Sequence, residues 1–288
     1  MPDRKYMENN ISEKHIDLQK ILAAKNVKAP RLVIRLAERI LHVPDLNQGI
    51  YLNRDYFGLD FVHKFLEGHD KQDLNITINC RGEENIPTDG HPIIAGNHPL
   101  GGPDGLALLA AVGRVRQDIR FPVNDFLLHL PGLAELFVPI DKVNKTRALA
   151  KLEEAFASDN ALLYFPAGLC SRLQHGEIKD LEWKSTFIKK AVRYHRDIVP
   201  VYTDARNRMS FYRLANLRKR LGIKFNFEMA LLPAEMYAQR GKTFGITFGK
   251  PIPWQTFDNS RTPAEWAETV RQKVYELKTM GIARSNQK

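Results

Sequence analysis

The sequence is poor in cysteine, with only Cys80 and Cys170 among its 288 residues. Two cysteines form no disulfide framework, and no pairing of cysteine with histidine has the spacing of a zinc site. A protein of a reducing compartment is therefore expected, with no bound metal and no cofactor.

Long apolar segments are also missing. No uncharged apolar run approaches the ~20 residues that a helix needs to cross a bilayer. The N-terminal stretch MPDRKYMENNISEKH is polar and mixed in charge, without the apolar core of a signal peptide. Internal repeats, low-complexity tracts and Gly/Ser linkers are absent as well. These absences predict a cytoplasmic protein that is soluble or peripherally attached, not an integral membrane protein.

Positive charge is abundant, since 43 Lys and Arg residues against 33 Asp and Glu give a formal net charge of +10. Such an excess favours nucleic acid, anionic lipid headgroups or phosphorylated small molecules as partners. The basic stretches 184–196 and 206–224 are interpreted as solvated surface or as anionic lipid contacts, with about equal weight. Nucleic-acid binding is the weakest alternative, because the sequence has no recognisable reading motif and no regularly interleaved stacking aromatics.

The first 70 residues have a helical pattern. Within 30–43, apolar residues recur at helical spacing, and Arg31, Arg35 and Arg39 occupy the other side. This basic amphipathic helix suits either an anchor at a membrane surface or a face packed on the rest of the protein. Both interpretations stay open from the sequence.

From Leu74 onward the pattern changes, because apolar and polar residues alternate up to Cys80 as in a half-buried strand. Further candidate strands lie at 92–96, 119–123, 137–140, 161–165, 198–202 and 244–248. Helical patterns separate them at 104–114, 144–158, 183–196 and 210–221, and a last helix begins near Thr262. The sequence therefore predicts an α/β fold with a mixed central sheet flanked by helices. The expected division is a helical region at 1–70 and an α/β domain at 71–288.

The segment 93–105 carries the strongest chemical signal. A short apolar strand leads into a Gly/Pro-rich turn, which displays His98 and Asp104 at the carboxyl end of that strand, where open α/β sheets bind ligands. An imidazole titrates near neutrality and can act as a general base, and a carboxylate can orient it. The plainer interpretations are a histidine that bonds a backbone carbonyl and an aspartate that caps a helix.

Four segments resemble the ordered motifs of the glycerolipid acyltransferase superfamily. The first is Asn-His-Pro-Leu-Gly-Gly-Pro-Asp at 97–104, with five residues between histidine and aspartate where the family has four. The others are Phe-Val-Pro-Ile-Asp-Lys at 137–142, Tyr-Phe-Pro-Ala-Gly-Leu-Cys-Ser-Arg at 164–172 and Ile-Val-Pro-Val at 198–201. The nearest resemblance is to a hemolysin-like bacterial branch, some members of which act on ornithine or glycine lipids.

The resemblance implies transfer of a fatty acyl chain from acyl-CoA or acyl carrier protein to the hydroxyl of a lysolipid. His98 would be the general base and Asp104 its orienter, with no covalent enzyme intermediate. Backbone N–H groups of the glycine-rich turn or of the helix start would stabilise the oxyanion. The implied partners include an anionic membrane surface at the inner face of the cell membrane, and no nucleic acid. The substrate-binding residues it implies are Asn97, Gly101, Gly102, Lys142, Phe165, Pro166, Gly168, Ser171 and Arg172.

Three departures from the family pattern concern the acceptor. Ala167 replaces a glutamate, Cys170 replaces an arginine, and Lys142 replaces an arginine whose bidentate geometry it cannot copy. Lysophosphatidate and a lyso-amino-acid lipid therefore both remain open as acceptors, and a catalytically inactive membrane-binding relative is a further alternative. A thiol nucleophile at Cys170 with His175 as its base is disfavoured against a small buried residue beside a turn.

Overall fold

The computed structural model describes residues 16–19, 23, 29–123, 130–140, 145–224 and 226–282. Lys142 lies outside the described residues. The strands are β1 Thr77–Arg81, β2 Ile93–Gly96, β3 Ile119–Val123, β4 Phe137–Pro139, β5 Ala161–Tyr164, β6 Arg172–Gln174, β7 Glu177–Lys179, β8 Ile198–Asp204 and β9 Thr243–Phe248. The main helices are α1 Arg31–Ile40, α2 Val43–Leu52, α3 Gly58–Glu67, α4 Pro103–Gly113, α5 Lys145–Ala157, α6 Thr186–Arg193, α7 Met209–Arg220, α8 Leu232–Tyr237 and α9 Pro263–Ile282.

The central sheet confirms the predicted mixed α/β architecture. Its strand order is β1-β9-β8-β2-β5-β3-β4, and β6 and β7 form a separate antiparallel hairpin. Only β8 and β9 pair antiparallel within the central sheet as described, and the other neighbours run parallel. Strand β2 therefore lies between two parallel neighbours, β8 and β5, and its carboxyl end lies beside theirs.

The two faces of the sheet bury separate cores, as the alternation of side chains along a strand requires. Ile94 of β2 belongs to the core that also holds α2, α3 and α4, whereas Ile93 and Ala95 face the core formed with α5, α6 and α9. Helix α4 is apolar on all sides and every one of its residues is buried, which fixes the start of this helix against the sheet.

The N-terminal helices differ from the single helix predicted over 30–43. Helix α1 ends at Ile40, and α2 begins at Val43 after His42, whose φ of 55° places it in the left-handed region. A left-handed residue interrupts the helical hydrogen-bond ladder and changes the chain direction. Apolar residues of α2 and α3 join the same core as α4. The division at residue 70 stays a prediction.

Two other predicted elements are shorter than expected. The strand predicted from Leu74 begins only at Thr77. Leu74 and Ile76 are buried, but their N–H groups bond to the carbonyls of Phe65 and Leu66 and not to a neighbouring strand. The helix predicted over 183–196 spans only Thr186–Arg193. The β6–β7 hairpin and α8 were not predicted, since neither is long enough to show a clear period in the sequence.

None of the helices in the described part of the chain is both long and apolar enough to cross a membrane.

Candidate active site

The turn between β2 and α4 brings His98 and Asp104 into direct contact. Nδ1 of His98 lies 2.8 Å from Oδ2 of Asp104, although five residues separate them in the sequence. Gly101 makes the extra residue possible, because its φ of 88° favours glycine and a Cβ there would lie 2.9 Å from Leu232 Cδ1. The aspartate is fully buried, and the histidine side chain retains 16% of its exposure.

The N–H groups of the turn converge on the Asp104 carboxylate. Leu100 donates to Oδ2 at 2.9 Å, and Gly102 and Gly105 each donate to Oδ1 at 3.0 Å, with a longer bond from Gly101 at 3.4 Å. These donors stabilise the buried charge. These N–H groups point to Asp104, and stabilisation of the oxyanion by N–H groups of the turn or of the helix start stays a prediction.

Phe165 packs against one face of the His98 ring. The two rings stack with centroids 4.2 Å apart and planes inclined by 16°. The glycines on either side of Phe165 are also closely packed, because a Cβ on Gly96 would lie 2.9 Å from Val201 Cγ1 and a Cβ on Gly105 would lie 2.8 Å from Phe121 Cε1. Phe165 thus fixes the plane of the imidazole, the third constraint on His98 after its chain position and its bond to Asp104.

The electrostatics of the pair favour a basic histidine. Burial alone would lower the pKa of His98, but the charge of Asp104 and the hydrogen bond to it raise the pKa above its usual value. Burial would raise the pKa of Asp104, yet the contact with His98 and the N–H donors hold it below its usual range. Asp104 is therefore an ionised orienter, and the imidazole that it holds is more basic than a free one.

The predicted residue Asn97 connects two strands. Its Nδ2 donates to the Thr203 carbonyl at 3.0 Å, and its Oδ1 accepts the Thr203 N–H at 2.7 Å. The amide replaces a pair of ladder bonds where β2 ends beside β8. Both of its polar groups are occupied by protein backbone.

Arg172 and Ser171 also bond within the protein. Arg172 is buried, donates to the Cys170 carbonyl at 2.8 Å and lies 3.4 Å from Glu228. Ser171 donates its N–H to the carbonyl of His98 at 2.7 Å. Arg172 therefore has a fully buried acidic partner, Glu228, which lies 56 residues away in the sequence and which the sequence did not reveal.

The thiol alternative does not fit this geometry. Cys170 is fully buried, its Sγ accepts a bond from Arg172 at 2.9 Å, and burial raises the pKa of the thiol. His175 lies at the exposed tip of the β6–β7 hairpin. A thiol with a raised pKa is a poor nucleophile.

Lys184 lies beside the turn at 165–168, although the sequence indicates it only as a member of the basic stretch 184–196. Lys184 donates its N–H to the Pro166 carbonyl at 3.1 Å, and a Cβ on Gly168 would lie 3.3 Å from its ammonium nitrogen. The side chain is exposed and forms no ion pair with any described residue. Its place beside the Phe165 turn, which its position in the sequence does not reveal, makes it a candidate residue of the site.

Metal-ligand clusters of three or more His, Cys, Asp or Glu residues do not occur among the described residues. The chemistry of the described site centres on the His98–Asp104 pair, because this pair lies at the carboxyl ends of parallel strands, where open α/β sheets bind ligands. This combination of sheet and buried pair is that of an α/β enzyme.

The sequence profile described as "Acyltransferase" matches residues 19–283, and the chain belongs to this acyltransferase family. It is 46% identical over 269 residues to a lyso-glycine lipid O-acyltransferase of Phocaeicola vulgatus, covering 91% of this chain and 95% of that protein. A lyso-glycine lipid O-acyltransferase of Bacteroides thetaiotaomicron is also 46% identical, at 91% and 97% coverage. The protein is thus an acyltransferase of the lysolipid type.

A solved structure supports the fold. The crystal structure of the 1-acyl-sn-glycerophosphate (LPA) acyltransferase PlsC from Thermotoga maritima is similar with a TM-score of 0.50. The match covers 90% of this chain and 88% of that chain at 18% identity.

Proposed function

We propose that this enzyme moves a fatty acyl chain from acyl-CoA or acyl carrier protein to the hydroxyl of a lyso-glycine lipid. The observation that carries the proposal is the buried His98–Asp104 pair, because it orients an imidazole whose pKa is raised. The names of the two relatives at 46% identity support the choice of acceptor.

In the proposed reaction, Nε2 of His98 takes the proton of the acceptor hydroxyl as its oxygen attacks the thioester carbonyl. Asp104 holds the Nδ1–H, which fixes the tautomer and stabilises the imidazolium as it forms. The tetrahedral intermediate then collapses, the carbon–sulfur bond breaks, and the departing thiolate takes the proton back from His98. The products are an ester and a free thiol, and no acyl group becomes attached to the protein.

Lys184 is the proposed contact for an anionic group of the substrates. Glycine acylated on its nitrogen keeps a free carboxylate, and both proposed donors carry phosphate. Arg172 is paired with Glu228 inside the protein, whereas the Lys184 ammonium lies over the Gly168 turn without an acidic partner among the described residues. An exposed ammonium can bind a carboxylate or phosphate without breaking an internal ion pair.

Lys184→Ala is expected to raise the KM for a carboxylate-bearing acceptor about 2- to 5-fold with little change in kcat, because an exposed ion pair contributes at most about 1 kcal/mol. The measurement is steady-state transfer with the acceptor concentration varied. Lys189→Ala is the matched control, since Lys189 is an exposed lysine of α6. Equal KM values for the two variants would contradict the role of Lys184.

The function is tested by incubating the protein with labelled palmitoyl-CoA or palmitoyl-acyl carrier protein and four acceptors. The acceptors are lyso-glycine lipid, lyso-ornithine lipid, lysophosphatidate and glycerol-3-phosphate. Preferential labelling of the lyso-glycine lipid is expected. Labelling of lysophosphatidate alone would show that lysophosphatidate, and not lyso-glycine lipid, is the acceptor. Labelling of none of the four acceptors would contradict the proposal.

We also propose that α1 attaches the enzyme to an anionic membrane surface. Only Ile34 of this helix is buried, whereas its other large apolar side chains are exposed together with three arginines. The exposed apolar residues are Leu32, Val33, Leu36 and Ile40. Such a helix can insert its apolar side at the interface while arginines contact lipid phosphates.

Replacing both Leu32 and Leu36 with glutamate is expected to lower the binding to phosphatidylglycerol vesicles at least ~10-fold, since two apolar side chains lose their burial in lipid. Vesicle flotation measures the bound fraction. Leu149→Glu is the control, because Leu149 is 65% exposed on α5. Unchanged flotation of the double variant would exclude α1 as the anchor.

A further inference from the structure

Asp180 is a buried carboxylate that none of the sequence motifs includes. It directly follows β7, and its side chain has no exposed surface. It lies 82 residues after His98 in the sequence, yet the β6–β7 hairpin returns it to the backbone of the histidine. Asp180 is thus a buried carboxylate in direct contact with the backbone of the candidate general base.

Three donors converge on the Asp180 carboxylate. The His98 N–H lies 3.2 Å from Oδ1 and 3.3 Å from Oδ2, the Ser171 hydroxyl donates to Oδ1 at 2.6 Å, and Trp183 Nε1 donates to Oδ2 at 2.9 Å. An ionised carboxylate only accepts hydrogen bonds, so it matches this set of donors. Among the described residues, no cation forms an ion pair with this side chain.

The backbone of Asp180 is held from the opposite side by α9. Its N–H donates to the Tyr275 hydroxyl at 2.7 Å, and its carbonyl accepts a bond from Arg271 at 3.0 Å. Asp180 therefore links two parts of the protein: its backbone bonds to α9, and its carboxylate bonds to the segment that carries His98. Ser171 completes the link, since its N–H also bonds to the His98 carbonyl.

We infer that Asp180 is a positioning residue of the acyl transfer, which fixes the backbone of His98 through its N–H and places a second negative charge near the imidazole. The inference rests on the proposed role of His98 as general base. Asp104 orients the ring, Asp180 holds the peptide that carries the ring, and Phe165 supports its face. Displacement of a reacting group by about 1 Å is enough to slow catalysis strongly.

The charges around His98 give this role a measurable signature. The negative charges of Asp104 and Asp180 raise the pKa of the imidazole, against the effects of burial and of Arg172. Burial raises the pKa of Asp180 itself, and the bonds from Ser171, Trp183 and His98 oppose that rise. Removing the Asp180 charge should therefore lower the pKa of His98.

Asp180→Asn is the first test because it conserves shape and removes charge. The asparagine oxygen can accept from Trp183 and the His98 N–H while its amide donates to the Ser171 oxygen. A neutral amide oxygen accepts a weaker bond than a carboxylate does, so the hold on the His98 N–H loosens, and we expect kcat to fall roughly 10-fold at a nearly constant donor KM. The acidic limb of the pH–rate profile should move to lower pH, because the negative charge of Asp180 raises the pKa of His98.

Asp73→Asn is the matched control. Asp73 is equally buried, accepts bonds from Asn53 and the Asp70 N–H, and precedes β1 at the edge of the sheet. Its replacement removes a buried charge without a contact to His98, so we expect a lower Tm and an unchanged pH–rate profile. If Asp180→Asn also keeps the wild-type kcat and pH–rate profile, Asp180 only packs the hairpin and the inference is wrong.

Ser171→Ala and Trp183→Phe provide a second route if Asp180→Asn fails to fold. Each removes one donor and leaves the carboxylate in place, so each should lower kcat several-fold with little change in donor KM. Wild-type kcat in both would overturn the inference.

NMR titration of the His98 ring separates this inference from the proposed reaction, because it needs no substrate. A lower pKa of His98 in Asp180→Asn, without acyl transfer by the wild type, would keep the positioning contact and reject the reaction. An unchanged pKa of His98 in Asp180→Asn, together with acyl transfer by the wild type, would support the reaction and reject the inference about Asp180.

Discussion

His98→Ala is expected to lower kcat for acyl transfer roughly 100- to 10,000-fold, the usual contribution of a general base. The imidazole is bonded to Asp104 through Nδ1 and is therefore oriented to receive a proton at Nε2. The fold should survive, since Asp104 keeps its N–H donors from the turn. The measurement is single-turnover transfer from labelled palmitoyl-CoA, together with the Tm of both proteins.

His175→Ala is the control for this result. His175 is an exposed histidine at the tip of the β6–β7 hairpin, and its removal should leave transfer unchanged. A large loss in His175→Ala with full activity in His98→Ala would reverse the assignment of the base and revive the Cys170 thiol mechanism. Full activity in both would show that another group takes the proton.

Asp104→Asn should reduce kcat to a similar extent, for a different reason. An amide group that faces His98 Nδ1 donates a hydrogen bond, which moves the ring proton to Nε2 and blocks that nitrogen as a base. The opposite orientation directs the amide hydrogens at the N–H groups of Gly102 and Gly105. Either arrangement leaves buried donors without an acceptor, each destabilising by about 1–3 kcal/mol.

The pH dependence of Asp104→Asn follows from the sign of the shift. Asp104 raises the pKa of His98, and only the neutral imidazole acts as a base. Wild-type activity should therefore decline as the pH falls through this raised pKa, and the residual activity of Asp104→Asn should decline at a lower pH. The pH–rate profile of kcat measures both. An acidic limb that stays in place would mean that another group controls the profile.

Arg172 illustrates which electrostatic partners the motifs alone do not reveal. The resemblance implies a substrate-binding cation at this position, but Arg172 is buried against Glu228, which also lies 2.9 Å from Arg218. Arg172→Ala would leave Glu228 paired with Arg218, but it would remove the buried donor to the Cys170 carbonyl, which destabilises by about 1–3 kcal/mol. Loss of activity in Arg172→Ala would therefore reflect loss of folding, and Tm must be measured beside it.

The local patterns of the sequence were sufficient for most strands of the central sheet and for the central pair. The apolar run at 93–96 and the Gly/Pro-rich turn after it predicted a strand that presents His98 and Asp104 at its carboxyl end. The structure brings these two side chains together despite the additional residue, because Gly101 permits a left-handed turn. Contacts over so few residues depend mainly on local backbone preferences, which a sequence expresses directly.

Tertiary structure alone decided which distant residues meet at the site. The bonds from Asn97 to Thr203, from His98 to Asp180 and from Arg172 to Glu228 join residues 106, 82 and 56 positions apart. They follow from the order of strands in the sheet and from the path of the β6–β7 hairpin. Neither the strand order nor that path is encoded in a local period, because each depends on how whole elements bury their apolar faces together. The sequence thus determined the candidate catalytic pair, and packing determined its support.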